Sequence, residues 1–133
     1  MIPDLPHTLW AAMRRGMMNH CPRCGGAHLF ARFLKPVARC PLCAQDWSVH
    51  AADDFPPYVA IIITAHVMAP IMILLGSSAS LPTWVLVGIA LLIAMPMLMI
   101  LLQPAKGGII ALQWWLGMAG FAAQPGKAEA GVD

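Results

Sequence analysis

Cys21-Pro22-Arg23-Cys24-Gly25-Gly26 and Cys40-Pro41-Leu42-Cys43 contain all four cysteines of the chain. They form two C-x2-C pairs separated by fifteen residues, the spacing of a four-thiolate zinc site. Two residues between cysteines let a tight turn aim both sulfurs and nearby backbone N–H groups at one ion, and two such turns close a tetrahedron. Four thiolates fill the shell and leave no position for water or substrate, so a stabilising zinc is favoured over a catalytic one. Redox dithiols or a disulfide are the remaining readings. The expected metal ligands are Cys21, Cys24, Cys40 and Cys43.

Around this pattern the composition is that of a membrane protein. The chain has 133 residues, 59% of them hydrophobic and only 11% charged. Its formal charge of +2 falls to zero once four thiolates and Zn²⁺ are counted, which argues against a nucleic-acid partner. The ribbon itself sets Arg23, Arg32, Lys35 and Arg39 against Asp46, an excess that the thiolates and metal largely cancel. The first long apolar run starts near Tyr58, so no secretory signal is expected before the cysteines. Thiolates kept available for zinc suit a reducing cytosol.

Residues 1–19 are read as an amphipathic, interfacial segment. A helix over 8–19 starts at Thr8 and puts Leu9, Trp10, Met13 and Met17 on one side, with Gly16 loosening it; a floppy leader is the alternative. Residues 20–50 form the four-cysteine ribbon. Short strands are expected at Leu29-Phe30 and Phe33-Leu34, and another at Trp47 and Val49. His20, His28 and His50 lie nearby and are expected at the surface rather than in the metal shell.

Residues 51–57 link ribbon to membrane. Asp53 and Asp54 followed by Pro56 and Pro57 suit a helix entrance, with a proton or metal-ion role as the alternative. Residues 58–102 are read as a transmembrane hairpin. Its spans, Tyr58–Gly76 and Leu81–Leu102, reach about 28 and 33 Å at 1.5 Å per residue, against a hydrocarbon core of about 30 Å. Basic residues precede the first span and Lys106 follows the second, while the hairpin tip has none, so both span ends and the ribbon should face the cytosol. Small residues at four-residue intervals, Ala60/Thr64, Ala65/Ala69 and Ala90/Ala94, permit close helix approach.

His66 stands near the middle of the first span, and Pro70 removes the N–H that would meet the His66 carbonyl. An intramembrane histidine is a candidate proton relay, haem ligand or copper ligand; an inter-helix hydrogen bond or a partner contact is the blander reading. The methionines are read as packing. Residues 103–123, glycine-rich with Trp114-Trp115, are expected as an in-plane interfacial helix set off by Pro104, a third crossing being the alternative. Residues 124–133 are expected to be a disordered tail. The fold class is thus a membrane α-helical hairpin with a small N-terminal β zinc ribbon and flanking interfacial helices.

Arg15-Gly16, Cys21-Pro22-Arg23-Cys24-Gly25, Leu29-Phe30, Phe33-Leu34-Lys35, Cys40-Pro41-Leu42-Cys43, Ala52-Asp53, Lys106-Gly107 and Leu112-Gln113-Trp114 together resemble the bacterial family catalogued as domain of unknown function 983. The resemblance covers about residues 14–117. It implies a small inner-membrane zinc-ribbon protein with no established activity, and an accessory role near cytochrome c oxidase and its assembly factors, because such proteins in alphaproteobacteria tend to be encoded among those genes. One residue departs from the pattern: Ala44 stands where the family, like zinc knuckles generally, usually has glycine. A positive φ there costs alanine about 1 kcal/mol.

The expected function is therefore a non-catalytic accessory protein of the bacterial inner membrane. Its structural Zn²⁺ ribbon docks a membrane-protein partner, with Phe30, Phe33 and Trp47 as contacts. The alternative is a metal or haem handling protein using His66. A nucleic-acid regulator ranks last. No serine–histidine–acid set, phosphate loop or open-shell metal motif points to an enzyme.

Overall fold

Thr8 opens the first helix, α1 (Leu9–Met17): its extended backbone ends the leader, and its Oγ1 accepts the Ala11 N–H at 3.2 Å. The helix ends on Asn19, whose φ of 61° turns the chain while His20 N–H reaches Arg15 O at 2.8 Å and Asn19 N–H reaches Gly16 O at 3.1 Å. In this computed structural model, residues 5–49, 55–78 and 80–121 are described. His50, Asp53, Asp54 and the 124–133 tail lie outside them, so the expectations for those residues go no further here.

The face that α1 buries is not the expected one. Ala12 and Gly16 are buried, whereas Trp10 is 66% exposed. Gly16 does not loosen the helix; it is where α1 meets the end of the last helix.

The ribbon contains one two-stranded antiparallel sheet, β1 (Phe30–Arg32) with β2 (Lys35–Pro36), irregular between its two paired positions. The third strand expected at Trp47 and Val49 does not form. The Trp47 N–H reaches Ala38 O at 2.9 Å beside an isolated Arg39–Asp46 bridge, and the Trp47 ring becomes core instead.

Two long helices follow, α2 (Phe55–Ser78) and α3 (Thr83–Leu116), packed against each other as an antiparallel hairpin. Both are long and apolar enough to cross a bilayer. Ala60, Thr64 and Met68 form the buried row of α2, with Ala90 and Ala94 half-buried on α3, so two of the expected small-residue pairs lie in the seam. Ala65 and Ala69 do not, and both face outward.

The interfacial helix expected over 103–123 is not a separate element. α3 is continuous for 34 residues and passes through both Pro96 and Pro104 to Leu116. At 1.5 Å per residue it reaches about 51 Å, so about 20 Å of it extends past a hydrocarbon core of about 30 Å. A proline inside a helix costs one hydrogen bond and a steric clash, yet α3 continues through Pro104 into its buried stretch from Gly107 on. The C-terminal part of α3 is the buried part: Gly107, Gly108, Ile109, Ile110, Ala111 and Trp114 sit beneath α1 and the ribbon. Gly117 (φ 68°) ends the helix, with Met118 N–H on Gln113 O at 2.8 Å.

The core therefore lies at one end of the hairpin. Ala12 of α1, Cys21, Leu29, Phe30, Cys40 and Trp47 of the ribbon, and Ile109, Ile110 and Trp114 of α3 belong to one cluster closed by Phe121. Trp47 meets Trp114 edge-on at 6.0 Å and Phe121 at 5.7 Å between ring centroids. A small ribbon cannot bury an indole alone, and the extension of α3 supplies the second wall.

Candidate metal centre

Each C-x2-C pair is a one-turn knuckle closed in the same way. Gly25 N–H reaches Cys21 O at 2.8 Å, and Ala44 N–H reaches Cys40 O at 3.0 Å. The residue after each pair takes a positive φ, 68° at Gly25 and 56° at Ala44. Ala44 therefore adopts the conformation that glycine would take freely, the strain expected from the sequence. A further bond anchors each knuckle, from Cys21 N–H to Ala27 O at 2.7 Å and from Cys40 N–H to Gln45 O at 3.0 Å.

These turns bring four sulfurs together although the pairs are far apart in the chain. All four Sγ atoms lie within 4.8 Å of one another, with Cys21–Cys43 and Cys24–Cys40 each at 3.7 Å. A tetrahedron of metal–sulfur bonds of about 2.3 Å has edges of about 3.8 Å, whereas a disulfide needs about 2.05 Å. The arrangement fits one thiophilic metal ion and no disulfide. The four cysteines can hold a metal ion, and thiolate donors favour zinc over hard cations.

Burial and backbone N–H groups act against each other on the thiols. Burial pushes the Cys21 thiol well up, and the Cys43 thiol up, as free acids. At Cys40 burial also acts upward, but the N–H groups of Cys43 and Leu42 and the neighbouring sulfurs outweigh it and bring the thiol down to about 7. A divalent cation at the centre supplies the charge that lets all four ionise.

Several residues hold the knuckles to the frame. Arg23, inside the first knuckle, reaches the Cys43 carbonyl of the second at 3.4 Å, and Arg15 of α1 reaches the Arg23 carbonyl at 3.3 Å. Ser48 donates from its N–H at 2.8 Å and its hydroxyl at 2.6 Å to Asp46 Oδ1, which holds that carboxyl below its usual range. Asn19 is the residue that sequence reasoning missed. Its Oδ1 accepts the Phe30 N–H at 2.8 Å and its carbonyl accepts the Leu29 N–H at 3.2 Å, tying α1 to the first strand. An asparagine three residues past a glycine at a helix end was the available signal.

The other expected site residues fall away from the centre. His20 and His28 are exposed, with rings 5.9 Å apart, and contribute nothing to the cluster. His66 lies on the outward side of α2, its Nδ1 2.8 Å from Ile62 O of its own helix. Among the described residues it makes no inter-helix hydrogen bond. Among the described residues the four cysteines are the one group of three or more His, Cys, Asp or Glu able to hold an ion, and His66 belongs to none. Phe30 and Trp47, expected as partner contacts, are buried, because the ribbon spends them on its junction with α3. Phe33 at 48% and Leu42 at 67% remain exposed.

A family model described as a protein of unknown function, DUF983, matches residues 30–114, well over half of the chain. The chain belongs to the DUF983 family. The matched part of this DUF983 protein takes in β1, β2, the second knuckle, both long helices and the Gly107–Trp114 platform. The first knuckle precedes it and is joined to it by the sulfur cluster. No curated protein and no solved structure matches the chain.

Proposed function

We propose that this DUF983 protein is a non-catalytic accessory protein of the bacterial inner membrane. Its zinc ribbon, facing the cytosol, docks a larger membrane complex during biogenesis or serves to stabilise it. The observation that carries this reading is the joint between ribbon and membrane helix. Trp47 packs on Trp114, and the cysteine cluster rests on the same core as Ile110. Four thiolates around one ion leave no open coordination position, so the metal holds shape rather than reacting. A rigid ribbon carried about 20 Å beyond the hydrocarbon on a continuous helix is suited to presenting a surface. Phe33 and Leu42 are the most exposed large apolar side chains it presents, with Val49 less so.

The cytosolic side follows from the excess of Arg and Lys at this end of the hairpin. A respiratory oxidase is the candidate client, a choice that rests on the gene company implied by family membership. The test is a Phe33→Ser, Leu42→Ser chain expressed from its own locus. Assembled haem–copper oxidase should fall while the protein's abundance and metal content stay constant. Unchanged oxidase with both substitutions present contradicts the reading.

A further inference from the structure

We propose that the outward face of α2 at mid-span, built on His66 and Pro70, receives a transmembrane helix of another protein that presents a hydrogen-bond donor at the same depth. His66 stands at the middle of the 24-residue α2, about 18 Å from either end. Thr64 and Met68 on either side of it in sequence pack toward α3, so His66, two residues from each, lies on the opposite side of the helix, exposed. This is the surface that meets whatever surrounds the hairpin in the bilayer.

Two acceptors belong to this face, one turned toward Ile62 and one toward Pro70. The Ile62 carbonyl can only accept, so Nδ1, 2.8 Å away, is the donor of that bond; in an imidazole that carries its proton on Nδ1, Nε2 is an acceptor. Pro70 has no N–H, so the carbonyl of His66 lacks the donor that residue 70 would otherwise supply. Lipid tails have no donor to offer either group, and polar groups in the hydrocarbon region are costly until paired. Two copies of this chain placed face to face would bring acceptors against acceptors. A helix carrying an indole, hydroxyl or amide N–H supplies what is missing. Ala65 and Ala69, also outward, let its backbone come close. Contact at this face involves the hairpin alone, whatever the ribbon docks.

The test uses the full-length protein, dye-labelled at its C-terminus and reconstituted in phosphatidylcholine vesicles. The probes are lysine-flanked polyleucine helices carrying the acceptor dye and one central residue, Trp or Phe. Indole N–H is a donor only, and phenylalanine provides a ring without it. Energy transfer should report about threefold or tighter association with the Trp helix than with the Phe helix. His66→Leu, a change the bilayer tolerates, should erase that difference. Equal association of the two probes, or a difference that survives His66→Leu, overturns the proposal. So does self-association of the protein that disappears with His66→Leu, which would give the face to a second copy.

Discussion

Gly16 of α1 and Gly107 of α3 meet backbone to backbone: a Cβ built on either would collide with the carbonyl of the other. This contact lets a nine-residue helix, too short to be stable alone, lie directly on the extended end of a 34-residue one. The ribbon follows α1, so the contact fixes where the cysteine cluster stands relative to the hairpin.

Gly107→Val should separate the two helices. Overpacking of this kind costs about 1–3 kcal/mol, and here the obstacle is backbone, which cannot rotate away. Proteolysis of the detergent-solubilised protein should then cut between α1 and the first strand several-fold faster than in wild type. Circular dichroism of the hairpin helices should be unchanged.

Trp47→Ala and Trp114→Ala should each lower ribbon stability by about 3–5 kcal/mol, because both rings are buried and meet each other at 6.0 Å. The double substitution should cost less than the sum, since the second change removes a wall already lost. Denaturant unfolding monitored by metal release to a chromogenic chelator measures both.

Ala44→Gly should relieve the positive φ of 56° and strengthen the ribbon by about 1 kcal/mol, or about fivefold in metal retention. Ala44→Val should weaken it, since a β-branched side chain tolerates that conformation worse. Chelator competition on the three chains, at one pH, ranks them.

Metal retention should fall steeply on acidification. Burial holds the Cys21 and Cys43 thiols above their ordinary range, so protons compete strongly for those sulfurs once the metal begins to leave. Cys40, down at about 7, should be the last of the three to take up a proton as pH falls. Titration with a chelator from pH 8 to pH 5 should show release with more than one proton bound per metal; a pH-independent release would contradict this.

The parts of the fold that were legible depend on local chemistry. Cysteine spacing specifies the cluster, Thr8 specifies the start of α1, and the run of apolar residues specifies two spans, because each signal acts over a few residues. Ala44 was legible for the same reason. What sequence left open depends on which surfaces meet. Gly16 reads as a weak point in a helix until Gly107 lies against it. Pro104 reads as a break, whereas α3 runs through it to the residues buried beneath α1. Trp47 reads as a strand residue and a contact until Trp114 covers it. The outward setting of His66 has no sequence signal, since α2 is apolar on every side and small residues fall both in the seam, at Ala60 and Thr64, and on the outward face, at Ala65 and Ala69.

X-ray absorption spectroscopy of the purified, detergent-solubilised protein, with metal content determined on the same sample, tests the central claim most directly. The account predicts one zinc per chain with four sulfur neighbours at about 2.3 Å, unchanged in His66→Ala and lost in a Cys21→Ser, Cys40→Ser chain. Fewer than four sulfurs around the ion, with an oxygen or nitrogen neighbour in their place, would contradict a closed structural centre and give the metal an open position for chemistry.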